Sequence, residues 1–182
     1  MLELSLNVLD IAQNSIAAGA TRVLLSVQED TANDRLTLTV ADNGCGMTLQ
    51  QLARVRDPFF TTRTTRKVGM GIPLFRMAAE TAGGTFDIQS EKGNGTTVTA
   101  VFGLRHIDRM PLGDMAGTVA TLIRLNPQVD FVYRHTVDGN TFELDTAALR
   151  PVLGEVSLAE PEVMEWICEN LSEGVAALNS QA

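Results

Sequence analysis

The most restrictive feature of this chain is a pair of alternating hydrophobic runs, the second of which ends on a carboxylate. Val23, Leu25 and Val27 alternate with polar neighbours, and after the turn-like segment 29–34 Leu36, Leu38 and Val40 do the same. Period two places each set on one face of a strand, so the two runs predict a half-buried β-hairpin. The next position on the buried face of the second strand is Asp42. A carboxylate there needs a reason, because burying a charge without a partner is costly. It is followed by Asn43, Gly44, Cys45 and Gly46, so an acceptor stands beside backbone that a flat ligand can approach closely. Adenine offers an exocyclic amine to such an acceptor. The alternative is an Asx-type turn closing the strand, which Asp-Asn-Gly serves by itself.

The elements around the hairpin define the fold class. A helix is predicted over 3–18 from Leu6, Leu9 and Ile16, with Gly19 as its stop. A short helix near 48–55 precedes an irregular stretch, Asp57 to Gly71, rich in Thr, Arg and Gly and read as a mobile loop. Ile72, Phe75, Ala79 and Ala82 recur at helical spacing up to Gly83-Gly84, and strands follow at 86–89 and 97–102 about Gly93-Asn94-Gly95. Helix, two strands, helix, loop, helix, two strands is the order of an α+β protein, a two-layer α/β sandwich. From Arg105 the character changes to a connector, a helix over 113–125, a hairpin over 130–145 turning at Asp138-Gly139-Asn140, and a helix over 161–177 with Val163, Ile167, Leu171 and Val175 in one stripe. The expected organisation is residues 1–104 as the main domain and residues 105–182 as a small α/β C-terminal appendage.

Composition excludes several classes of function. The 182 residues are 45% hydrophobic and 20% charged, too apolar for intrinsic disorder. No apolar run reaches the length of a membrane span and the first basic residue is Arg22, so a soluble, cytoplasmic protein is expected, with no membrane partner. Cys45 and Cys168 form no metal-binding or disulfide pattern. Residues 105–182 carry 5 basic and 12 acidic side chains, and this acidity opposes binding to nucleic acid. Against that background Arg54, Arg56, Arg63, Arg66 and Lys67 gather five of the fourteen basic residues into fourteen positions, a local site for an anion.

Other residues point to phosphate chemistry. Asp10 and Asn14, four apart on the first predicted helix, share a face. A carboxamide oxygen suits Mg²⁺ that also leans on substrate phosphates, and a nearby carboxylate can orient water. Lys67-Val68-Gly69-Met70-Gly71-Ile72 puts small residues at a helix start whose free N–H groups suit phosphate oxygens. No GxxxxGK[ST] pattern occurs, so the phosphate site is not a P-loop.

Taken together, these segments resemble the GHKL ATPases, the histidine-kinase, gyrase, Hsp90 and MutL ATP-binding domains. Residues Asp10 to Ala20, DIAQNSIAAGA, resemble the N box, in phrasing nearest to MutL, and Asp42 to Met47 match the DxGxG box. Asp57-Pro58-Phe59-Phe60-Thr61-Thr62 resembles the F box of histidine kinases, Gly69 to Ile72 the next glycine box, and Gly93 to Thr96 the last. The resemblance covers about residues 4–104. It implies that Asn14 holds Mg²⁺ on ATP, Asp42 receives the adenine amine with help from Thr96, and Gly44, Gly46 and Met47 line the base pocket. It further implies that Lys67, Gly69, Met70, Gly71, Ile72, Thr61 and Thr62 wrap the phosphates, with Phe59 and Phe60 packed against the nucleotide.

Two departures qualify the activity. Asp10 stands where hydrolysing members have Glu, one methylene longer, which places binding ahead of turnover; Asp10 is then expected to position an acceptor hydroxyl or a metal-bound water. The chain also begins at the N box, so a complete sensor kinase is not expected. His106 to Leu112 has a faint likeness to a phosphoacceptor box and is read as a connector. The expectation is a Mg-ATP-binding protein with kinase-like phosphoryl transfer to a partner protein; the alternatives are a nucleotide-gated binding module and a slow ATPase switch.

Overall fold

The two alternating runs form the centre of a six-stranded sheet. The structure, a computed structural model, describes residues 3–56 and 70–182. Its elements are α1 (Leu4–Ala17), β1 (Arg22–Asp30), β2 (Arg35–Asp42), α2 (Leu49–Arg56), α3 (Gly71–Thr81), β3 (Thr85–Glu91), β4 (Gly95–Gly103), α4 (Met115–Leu125), β5 (Asp130–Val137), β6 (Asn140–Asp145), α5 (Thr146–Leu153) and α6 (Pro161–Ala176). The strand order is β3-β4-β2-β1-β5-β6. Every neighbouring pair is antiparallel except β1 with β5.

Alternation decides which face is covered. Val23, Leu25, Val27, Leu36, Leu38, Val40, Val98, Ala100 and Phe102 are all buried, whereas the residues between them are partly or fully exposed. The helices therefore lie on one face and the fold is a two-layer α/β sandwich. Helix α1 buries Leu4, Val8, Ile11, Ala12 and Ser15, a row at helical spacing. Leu6, Leu9 and Ile16, from which the helix was predicted, lie beside that row, Leu6 being exposed. In a segment apolar on several sides, three leucine-like residues identify the helix but not its core face. Gly19 ends the helix at φ 76°, where its lack of a Cβ permits the left-handed conformation.

The C-terminal region attaches through backbone pairing. Strand β5 lies parallel to β1 from Arg22↔Asp130 to Glu29↔Val137, so the 130–145 hairpin is appended to the β1 edge of the sheet. Val119, Leu122 and Ile123 of α4 and Met164, Ile167 and Leu171 of α6 belong to the same hydrophobic cluster as Leu4, Val8 and Ile11 of α1. Helix α5, capped by the Asp145 side chain accepting from Ala147 N–H, has no forerunner in the sequence reading. No helix among the described residues is long and apolar enough to cross a membrane.

A second carboxylate closes a core row at the far end of β1. Glu29 continues Val23, Leu25 and Val27, and is 1% exposed. His135 Nε2 donates to its Oε1 at 2.8 Å, Ser180 Oγ donates at 2.6 Å, and Gln181 N–H donates to Oε2 at 2.8 Å. The Tyr133 hydroxyl lies 3.0 Å from His135 Nδ1, and burial pushes its ionisation well above the usual phenol range. Burial alone would raise the Glu29 carboxyl, but the hydrogen bonds from His135, Ser180 and Gln181 outweigh it and hold the group below its ordinary value of 4.5.

A carboxylate depressed by folding contributes stability that is present above its unfolded value and is lost as pH falls through the folded one. Glu29→Gln should therefore cost about 1–3 kcal/mol at neutral pH, and the difference from the parent should shrink as denaturant unfolding is repeated below pH 4.5. The shared core also bears on the proposed division at residue 104. A chain ending there would expose the β1 edge and the α1 surface that α4 covers, and calorimetry of that fragment should show no cooperative transition.

Candidate functional site

The site is built where the C-terminal end of β2 meets the last turns of α1. Asp42 pairs with Val23 on one side and Thr96 on the other, so its position is set by backbone hydrogen bonding in three adjacent strands. Its carboxylate is fixed as well: Ser15 Oγ donates to Oδ2 at 2.6 Å and Gly44 N–H donates to Oδ1 at 2.8 Å. Each carboxylate oxygen has room for a further donor, so the group is oriented without being used up.

The segment after Asp42 is tied down on both sides. Cys45 N–H donates to Ala18 O at 2.9 Å, and Asn43 Oδ1 accepts from the backbone N–H groups of Thr21 and Arg22. On the other side Gly93 N–H donates to Cys45 O at 2.8 Å, and Met47 N–H donates to Ser90 Oγ at 2.8 Å. Gly46, at φ 63°, lies so close to the β3–β4 turn that a Cβ would overlap the Glu91 carbonyl. The second glycine of the pattern is thus required by packing as well as by access to a ligand.

These elements enclose a cavity of about 290 Å³ with Asp42 and Asn14 in its wall. Its apolar lining comes from Ile11 of α1, Met47, Val55 of α2, Ile72 of α3, and Ile88 and Val98 of the sheet. A flat apolar ring with one amine edge fits this chemistry, its faces against aliphatic side chains and its donor at the fixed Asp42 carboxylate. Asn14 makes no side-chain hydrogen bond to another described residue, so its carboxamide is available to a ligand. Ile72 in the wall brings the start of α3 to the cavity, where unpaired N–H groups of a first helical turn favour an anion.

The predicted residues distribute unevenly about this cavity. Asn14, Asp42, Gly46, Met47, Ile72 and Thr96 line it. Gly44 lies alongside, its N–H on Asp42. Thr96 is the register partner of Asp42, but its hydroxyl is 2.8 Å from Ser90 Oγ, and the hydroxyl bound to Asp42 is that of Ser15. Met70 precedes α3 and is exposed. Asp10 lies outside the lining: its side chain packs on Gly71, where a built Cβ would stand 2.9 Å from Asp10 Cβ. Phe59, Phe60, Thr61, Thr62, Lys67 and Gly69 lie outside the described residues.

Ser15 is the contributor that the sequence reading passed over. Its signal is its register: counting from Leu4, Val8 and Ile11, a hydroxyl occupies a core position of α1, and a buried hydroxyl requires a partner. Cys45, between the two glycines, is a free and exposed cysteine.

Known proteins with similar sequences share this region. The profile of the family described as "Histidine kinase-, DNA gyrase B-, and HSP90-like ATPase" matches residues 1–106. A putative sensor protein of Shewanella frigidimarina is 32% identical over 102 residues, covering 55% of this chain and 16% of that protein. The sensor protein kinase FleS of Pseudomonas aeruginosa is 37% identical over 97 residues, covering 53% of this chain and 24% of its own length. The chain thus spans less than a quarter of either relative. Among solved structures, the N-terminal domain of a DNA repair protein superposes with a TM-score of 0.52 at 14% identity, over 80% of this chain and 53% of that one, a likeness of fold. Motif, cavity and family profile coincide in one place, and the chain belongs to the histidine kinase-, DNA gyrase B- and HSP90-like ATPase family, with an ATP-binding domain of the histidine-kinase type in residues 1–106.

Proposed function

We propose that this chain binds Mg-ATP in the cavity beside Asp42 and passes the γ-phosphoryl group to a side chain of a partner protein. The observation that carries this reading is the fixed Asp42 carboxylate at the wall of an apolar cavity whose remaining described lining holds no second carboxylate. Asp42 accepts the adenine amine, and Met47, Ile88 and Val98 contact the ring. The Asn14 carboxamide oxygen would hold Mg²⁺, which would neutralise triphosphate charge and orient it. Gly71 and Ile72 offer N–H groups at the start of α3, and Lys67, Gly69, Thr61 and Thr62 complete the phosphate contacts in this reading.

Phosphoryl transfer rests mostly on positioning and charge neutralisation, with the acceptor supplied from outside. Hydrolysis asks more, since water must be held and activated. Asp10, short by a methylene against the Glu of hydrolysing members, is packed on Gly71. The shorter side chain favours transfer over an ATPase switch, and it equally supports a second reading in which nucleotide binding alone gates the grip on a partner.

ATP at about 100 times its dissociation constant should stabilise the protein by about 2.7 kcal/mol in thermal unfolding, and Asp42→Asn should abolish the shift. Ser15→Ala should keep the fold and weaken ATP about tenfold, or about 1.4 kcal/mol, through loss of the hydrogen bond that orients Asp42, as read by titration calorimetry. Incubation with γ-labelled ATP and a candidate partner then divides the readings. Label on protein supports transfer, released phosphate supports an ATPase, and neither, despite binding, supports the gated module.

A further inference from the structure

We infer that a second binding site lies further along the α1–α3 contact, and that it takes a peptide segment of a partner protein presenting an aliphatic side chain followed by lysine or arginine. A pocket of about 190 Å³ is walled by Asn7 of α1, Leu74, Met77 and Ala78 of α3, and Asp108 and Met110 of the connector. It shares no residue with the cavity at Asp42.

Asn7 identifies the ligand's backbone. It is 1% exposed, and neither Oδ1 nor Nδ2 has a hydrogen-bond partner among the described residues. Folded proteins pair nearly all such atoms, because leaving a buried donor and acceptor unmade is costly. A carboxamide that offers one acceptor and donors in a plane complements a peptide unit, accepting from its N–H and donating to its C=O. The wall identifies the side chains. Leu74, Ala78 and the two methionines suit an aliphatic group, and unbranched Met77 and Met110 can move to admit it to the sealed carboxamide. Asp108 is 62% exposed at the side chain, and its ion-pair contact among the described residues is His106 Nδ1 at 3.9 Å, which leaves a carboxylate for a cation on the ligand.

The test needs no nucleotide, so its outcome is independent of the ATP reading. The whole chain is titrated with the capped dipeptide N-acetyl-leucyl-arginine N-methylamide to millimolar concentration and followed by NMR. Saturable shifts of the Asn7 side-chain amide and the Met77 methyl are expected. Asn7→Leu, which keeps the shape, and Asp108→Lys, at an exposed position, should each weaken binding about tenfold. Asn7→Leu should also raise the thermal midpoint, because an unpaired polar group is removed from the interior. Absence of saturable shifts, unchanged affinity in both variants, or a lowered midpoint in Asn7→Leu would each overturn the inference, the last by showing that the carboxamide serves the fold.

Discussion

Strand β1 is hydrogen-bonded along both edges, and the rest of the molecule depends on that pairing. Its antiparallel register with β2 places Asp42 opposite Val23, next to the loop that follows α1. Its parallel register with β5 brings a strand from more than a hundred residues later against the same core. A parallel neighbour requires a long crossover, and here the crossover runs from β2 to α4 and carries Asp42 and the sheet wall of the cavity, while α1, which precedes β1, supplies the rest. The cavity therefore lies between α1 and a loop of chain whose two ends are held by one strand pair.

The same strands show how a core-facing carboxylate can serve opposite purposes. Glu29 and Asp42 both extend alternating hydrophobic rows, and both are met by a hydroxyl at 2.6 Å. Around Glu29 the remaining capacity is taken by His135 and by Gln181 from the chain's last residues, which closes the group into the interior. Around Asp42 the remaining neighbours are Gly44 N–H and a cavity. Supplying every partner internally yields a structural charge; supplying enough to orient the group but no more leaves capacity for a further donor.

Much of this was legible in local pattern. Strands β1 to β6, helices α1, α3, α4 and α6 and the turns between them follow from period, glycine and proline, all of which act over a few residues. Asp42 was found because its parity with Val40 is fixed by the pleat. What escaped depends on partners distant in sequence. Glu29 looked like part of a turn until His135, 106 positions away, was seen to face it. Ser15 looked like an ordinary motif residue until its hydroxyl met Asp42. Asp10 and Asn14 share a face of α1, as their spacing requires, but only the fold shows that Asp10 packs on Gly71 of α3 while Asn14 lines the cavity.

The sequence by itself determined the two-layer fold and the motif set that places the chain among GHKL ATP-binding proteins, because alternation, helical period and glycine spacing are properties of short segments. Only the tertiary structure decided which hydroxyl orients Asp42, how the C-terminal hairpin joins the sheet, and that Asn7 is buried without a hydrogen-bond partner among the described residues. Those depend on the meeting of residues far apart along the chain, and no local pattern carries the geometry of such a meeting.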